Sequence, residues 1–219
     1  MKCIQKLMMM ASLVAMIATT GCSVSRDQMA KEYERLAALP PVPTNHCPYD
    51  RALDSLGVAV SRHYNFAHKL MKEFVGATAN RRAYLGFLND IEFYVKEEKM
   101  DEAAAMARVV KEILEADKKI ADPEQKLWPK VVEGINSTNA LRPEKKLVEI
   151  APVAAATLRA INDCKKLKDS FNGFDQTTIE KGICAAKIIK QGVDTSECLT
   201  FLTIQLQRTI KAKYYTKMK

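Results

Sequence analysis

Residues 50–76 read DRALDSLGVAVSRHYNFAHKLMKEFVG, and their apolar positions recur in steps of three and four. Leu53, Leu56, Val60, Tyr64, Ala67, Met71 and Phe74 therefore fall at the period of an α-helix and line one face of it. Strand alternation is absent. The longest patterned segment of the chain predicts an amphipathic helix that needs apolar neighbours to cover it.

Working outward, the same period recurs on both sides. On the N-terminal side, Asp27–Leu39 reads as a short charged helix, and Pro40-Pro41-Val42-Pro43 then imposes an extended segment. Residues 23–45 are either a tether holding the body away from its anchor or a segment packed along the body. On the C-terminal side, Asn80–Glu98 carries Tyr84, Phe87, Leu88, Ile91 and Val95. Asp101 can cap a helix striped by Met106, Val109, Val110, Ile113 and Leu114.

Asp122-Pro123 has the form of a cap followed by proline at the first helical position, with Trp128-Pro129 breaking or starting the short helix behind it. Asn136-Ser137-Thr138-Asn139 reads as a turn, and Arg142-Pro143 as the start of a helix that Pro152 should kink. Asn172-Gly173 and Asp175 suggest a stop and a restart. A helix over Gln176–Gln191 should turn at Gly192-Val193, with Asp194-Thr195-Ser196-Glu197 as a capping box opening a last helix. The fold class that follows is all-α, a single helical bundle or helical-hairpin array of about seven helices.

Ahead of this body, Lys2 and Lys6 precede an uncharged stretch whose apolar part is concentrated in Leu7–Ala18, with small residues at Thr19, Thr20 and Gly21. That is the layout of a secretory signal peptide. The apolar run is shorter than the roughly 20 residues a spanning helix needs. Thr19-Thr20-Gly21-Cys22 resembles the lipobox of bacterial lipoproteins, in which the cysteine is acylated and becomes the mature N-terminus. Thr19 stands where that family usually has Leu, and ordinary cleavage near Ala18–Gly21 is the other reading.

The resemblance implies lipidation of Cys22, palmitate among its acyl chains, and a place in the cell envelope. Ser23 follows the cysteine rather than Asp, which by the enterobacterial sorting rule implies the outer membrane, facing the periplasm. The expected organisation is residues 1–21 as signal peptide, 22–45 as lipidated N-terminus and Pro-rich tether, and 46–219 as the helical domain.

Loss of the signal would remove two lysines and no acid from a formal charge of +8, leaving +6. That balance suits anionic envelope surfaces, but no dense basic block suggests nucleic acid. Export leaves Cys47, Cys164, Cys184 and Cys198 in an oxidising compartment, where an even number reads as two disulfides. Cys184 and Cys198 are equidistant from Gln191 and would face each other across a hairpin at Gly192. That pairs them, and it pairs Cys47 with Cys164 by elimination.

Other constellations are weak. His63 and His68 are five residues apart, about 140° around a helix, so they do not share an ion readily with each other or with His46-Cys47. No C-x-x-C-H haem site and no G-x-S-x-G turn occurs, and Glu97-Glu98 and Asp101-Glu102 sit where helix ends are solvated. Neither a cofactor nor a metal is expected. Arg208, Lys211, Lys213, Tyr214, Tyr215 and Lys217 combine cations with interfacial aromatics, as an anionic lipid contact would, although a solvated helix end has the same composition.

The function that follows is a non-catalytic, lipid-anchored interaction or scaffold module whose partners are the membrane and an envelope protein. One alternative is a binder of a small apolar or amphipathic ligand, for which the aromatic stripe Tyr64, Phe74, Tyr84 and Phe87 is the feature. The other is an envelope hydrolase with an unrecognised site.

Overall fold

A computed structural model of the chain describes residues 28–78, 82–173 and 175–217. The expected signal peptide, its expected cleavage site and Cys22 lie outside them, as does residue 80 at the expected start of one helix. The described residues are all-helical, with no strand among them: α1 (Gln28–Ala37), α2 (Arg51–Thr78), α3 (Arg82–Lys96), α4 (Glu102–Asp117), α5 (Leu127–Asn139), α6 (Pro143–Asp169) and α7 (Gln176–Ala212). Short 3-10 turns follow at Pro123–Gln125 and Tyr215–Lys217. No helix among the described residues is long and apolar enough to cross a membrane.

The helices pack into two compact units, and α1, α2 and α7 lend residues to both. In the first, α3, α4 and α5 each pack on the other two. Their buried faces follow the expected stripes: Tyr84, Phe87, Leu88 and Ile91 from α3, Met106, Val109, Val110 and Ile113 from α4. Phe87 meets Trp128 edge to face at 6.1 Å. Asp101 caps α4 by accepting from the amides of Ala103 and Ala104.

A second cap reaches across the first unit. Asp117, the last residue of α4 and 5 % exposed, turns both carboxylate oxygens to the start of α5. They accept from the amides of Leu127 and Trp128 at 2.8 Å each. Two amides that a helix start leaves without partners are thereby satisfied from a neighbouring helix. Asn136–Asn139, expected as a turn, is instead the last turn of α5. Thr138 is buried and its hydroxyl donates to the Gly134 carbonyl, so a turn-forming composition is absorbed into helix.

The second unit joins most of α2 to α6, most of α7 and the residues before α2. Its core contains Leu53, Val60, Ala160, Ile188 and the sulfurs of Cys47 and Cys164, and Phe74 meets Phe201 edge to face at 6.2 Å. Pro152 lies inside α6 on its exposed side. Arg142, just before α6, takes a left-handed backbone (φ 57°).

The break expected at Gly192 does not occur: α7 runs unbroken through Gln176–Ala212. Gly192 is a packing glycine. A Cβ there would come within 2.6 Å of Ile161 Cγ1, so hydrogen alone lets α6 and α7 approach this closely. Thr195 is buried with its hydroxyl on the Gln191 carbonyl, and Asp194 pairs with Lys190 at 2.8 Å. Both are interior helix interactions, and they replace the expected capping box.

Residues 40–47 are not a free tether. They lie along α2, running opposite to it, and are fastened one turn after another. Tyr64 Oη donates to the Pro40 carbonyl (2.9 Å), Asn65 Nδ2 to that of Val42 (3.3 Å), and the Asn45 amide to Ser61 Oγ (2.9 Å). The Cys47 amide then donates to Asp54 Oδ1 at 2.9 Å. Gly57 lies beneath the Asn45 carbonyl, where a Cβ would collide with that oxygen. The segment is a strap on the second unit.

Candidate functional site

The densest chemistry among the described residues lies where this strap ends. Cys47 sits three residues before Asp50, whose carboxylate accepts from the amides of Ala52 and Leu53 and so starts α2. Its thiol enters the core at 1 % exposure, beside Cys164 of α6, which is fully buried. Cys184 of α7 packs against the same cluster and remains partly exposed.

Within that cluster Cys184 is a neighbour of the Cys47 thiol. The Cys164 thiol is directed elsewhere, donating to the Ala185 carbonyl at 3.5 Å. Burial, and then the neighbouring Cys184, push the Cys47 thiol up to about 11; burial does the same to Cys164. Both stay protonated at neutral pH, so neither is a resident thiolate nucleophile.

Polar contacts clamp the strap to α7 on both sides of the sulfurs. Glu180 stands close enough to Tyr49 to raise the pKa of its hydroxyl, and Lys181 Nζ lies 3.6 Å from Asp50. Asn45 Nδ2 donates to Gln191 Oε1 at 2.6 Å. Asp54 holds the strap from α2. Its carboxyl is lowered first by the Cys47 amide and then by His46, whose Nδ1 is 3.1 Å away.

The expected pairing of Cys184 with Cys198 is corrected here. Cys184 and Cys198 lie on one continuous helix fourteen residues apart, a rise of about 21 Å, where a disulfide tolerates Cα atoms no more than about 7 Å apart. With the hairpin goes the geometry that paired them. Cys47 and Cys164 do share one cluster, and Cys184 packs against it as well. Cys198 is buried away from the others, its thiol directed to the Ala67 carbonyl at 3.7 Å.

The histidines play separate parts. The Thr157 hydroxyl spends its proton on the Val153 carbonyl, so it accepts from His63 Nδ1 at 3.1 Å, which fixes that ring's tautomer. Burial lowers the pKa of His63, and burial with Lys72 lowers that of His68. His46 is exposed on the strap. No three His, Cys, Asp or Glu among the described residues are grouped as metal ligands.

Two cavities of about 10 Å³ each lie in the second unit, one beside Tyr64, His68 and Cys198, the other beside Glu73, Phe74 and Lys146. Each has room for a single water. Pockets for small ligands run to roughly 300–1,000 Å³.

The basic C-terminal group divides. Arg208 is 3 % exposed, with Nη1 2.6 Å from Glu92 Oε2 and Nε 3.7 Å from Glu102. It is a core ion pair of the first unit and is not available to a lipid surface. Burial works to raise the Glu92 carboxyl, but Arg208 and Lys96 outweigh it and hold it below its ordinary value. Lys211 is half exposed and 3.3 Å from Glu102. Lys213, Tyr214 and Lys217 are exposed, and Tyr215 is partly so.

Comparison of the chain with protein-family models, with curated proteins and with solved structures found no match.

Proposed function

We propose that the protein is a lipid-anchored interaction module of the bacterial cell envelope, acylated at Cys22 and acting through contacts of its helical body rather than by catalysis. The observation that carries this reading is the order Lys2, Lys6, apolar Leu7–Ala18, Thr19-Thr20-Gly21-Cys22. It is the layout of an export signal ending at an acylated cysteine. Two or three acyl chains, at about 0.8 kcal/mol per buried methylene, hold a protein on a membrane essentially permanently.

Two features of the body support it. Residues 40–47 are strapped to α2, so no free tether running to Cys47, about 80 Å at full extension from Cys22, separates the body from its lipid. On the second unit, Ile179 (46 % exposed) and Ile183 (50 % exposed) stand one turn apart on α7. Tyr49 (46 % exposed) neighbours the intervening Glu180. Apolar and aromatic anchors of this kind carry most of the energy of protein contacts.

A photo-crosslinking residue at Ile183, compared with one at Lys165 on exposed α6, tests the reading in intact cells. A discrete envelope-protein adduct from position 183, lost when Cys22→Ser misplaces the protein, is the expected result. Equal, diffuse labelling from both positions, unchanged by Cys22→Ser, contradicts it.

A further inference from the structure

We propose that Cys47 and Cys184 are joined by a disulfide that staples the strap to α7. The pairing rests on four observations. Cys184 packs against the core cluster that holds the Cys47 thiol, and the two come from segments clamped together by Asp50 with Lys181 and by Asn45 with Gln191. Cys164, the third sulfur of the cluster, is fully buried and committed to the Ala185 carbonyl. Cys198 is out of reach along the same helix as Cys184.

The partly exposed Cys184 gives a disulfide donor its point of entry. Chemically, Cys184 gives up its proton and attacks the donor, a small-molecule or protein disulfide. This forms a mixed disulfide and releases one donor thiol. Cys47, its neighbour in the cluster, then attacks the Cys184 sulfur, loses its own proton and releases the second donor thiol. Two cysteine thiols are oxidised, one donor disulfide is reduced to two thiols, and the atoms balance.

The consequence is mechanical. The strap joins α1 to α2, so a pull on the lipid anchor that frees the α1 contacts of Tyr33 with Thr78 and of Arg35 with Glu197 next reaches the hydrogen bonds at Pro40, Val42 and Asn45. A bond at Cys47 stops peeling there, and it closes a loop of more than a hundred residues, the size at which a cross-link restricts an unfolded chain most. That the bond is present in cells rests on the envelope reading above; the pairing itself does not.

Trypsin separates the four sulfurs onto distinct peptides: Leu36–Arg51 carries Cys47, Ala160–Lys165 Cys164, Gly182–Lys187 Cys184 and Gln191–Arg208 Cys198. Two preparations are mapped without reductant. One is the protein extracted from cells with thiols blocked at lysis, and the other is purified protein reduced and then re-oxidised in a glutathione redox buffer. The expected product in both is Leu36–Arg51 linked to Gly182–Lys187, with the other two thiols alkylated.

In Cys47→Ser, glutathione should be trapped on Cys184, and Cys198→Ala should leave the link unchanged. Oxidation should raise the urea midpoint of the wild type but not of Cys184→Ala. Linkage of Cys47 to Cys164 after re-oxidation, or alkylation of both Cys47 and Cys184, overturns the pairing. A link formed in redox buffer but missing from the cell extract upholds the pairing and overturns the envelope address.

Discussion

Replacing Gly192 by alanine distinguishes a continuous α7 from two helices joined by a turn. In a continuous helix, alanine is favoured over glycine by about 1 kcal/mol. Against that, the new Cβ would stand 2.6 Å from Ile161 Cγ1 and 3.0 Å from its Cδ1, with Ile161 itself only 5 % exposed. Overpacking of this kind costs about 1–3 kcal/mol. Gly192→Ala should therefore destabilise by up to about 2 kcal/mol, with the sign set by how far Ile161 can give way.

The decisive background is Ile161→Ala. That substitution alone costs about 2–5 kcal/mol, but it removes the atoms that the new methyl meets. In it, Gly192→Ala should become stabilising by up to about 1 kcal/mol as only the helix preference survives, a coupling of about 1–3 kcal/mol. Urea unfolding of the four proteins of the cycle, followed by circular dichroism, measures it. A glycine in a turn with positive φ would lose the same stability in both backgrounds. Equal losses would therefore refute the packing argument and restore the hairpin.

Arg208→Met should destabilise by about 3–5 kcal/mol, because it leaves Glu92 buried without its guanidinium, whereas Lys213→Gln and Lys217→Gln should fall within about 0.5 kcal/mol of wild type; chemical denaturation separates the two classes. Asp117→Ala, which strips both amides at the start of α5 of their acceptor, should cost about 1–3 kcal/mol and expose Trp128 to acrylamide quenching. The Glu92 carboxyl lies below its ordinary value, so its contribution is present above the unfolded pKa of about 4.3 and lost as pH falls through the folded value. Stability measured from pH 7 to pH 3 should decline more steeply in wild type than in Glu92→Gln.

The helices were legible wherever one apolar face recurs and an aspartate marks the start: α2 behind Asp50, α4 behind Asp101, α7 behind Asp175. The readings that failed share a physical cause, in that local composition was overruled by packing. Gly192 and Asn136–Asn139 carry the chemistry of turns, yet the close approach of Ile161 and the buried Thr138 hydroxyl keep both stretches helical. Arg208 has the composition of a frayed end, and only the buried Glu92 more than a hundred residues away shows it to be core. The Asp117 cap spans ten residues and leaves no local pattern. For the sulfurs, the Cys184–Cys198 pairing failed because it hung on a hairpin that is absent. Leu56, placed on the inner face, packs against the core of the second unit, and the burial of its neighbour Gly57, where the strap crosses, had no signal in the apolar pattern.

The intact mass of the protein extracted from membranes bears most directly on the central claim. The account predicts a chain beginning at Cys22 and carrying a diacylglyceryl group, with a further acyl chain on its amino group where the host adds one. Recovery of an unmodified chain of 219 residues, still bearing its N-terminal lysines and found in the soluble fraction, would contradict it.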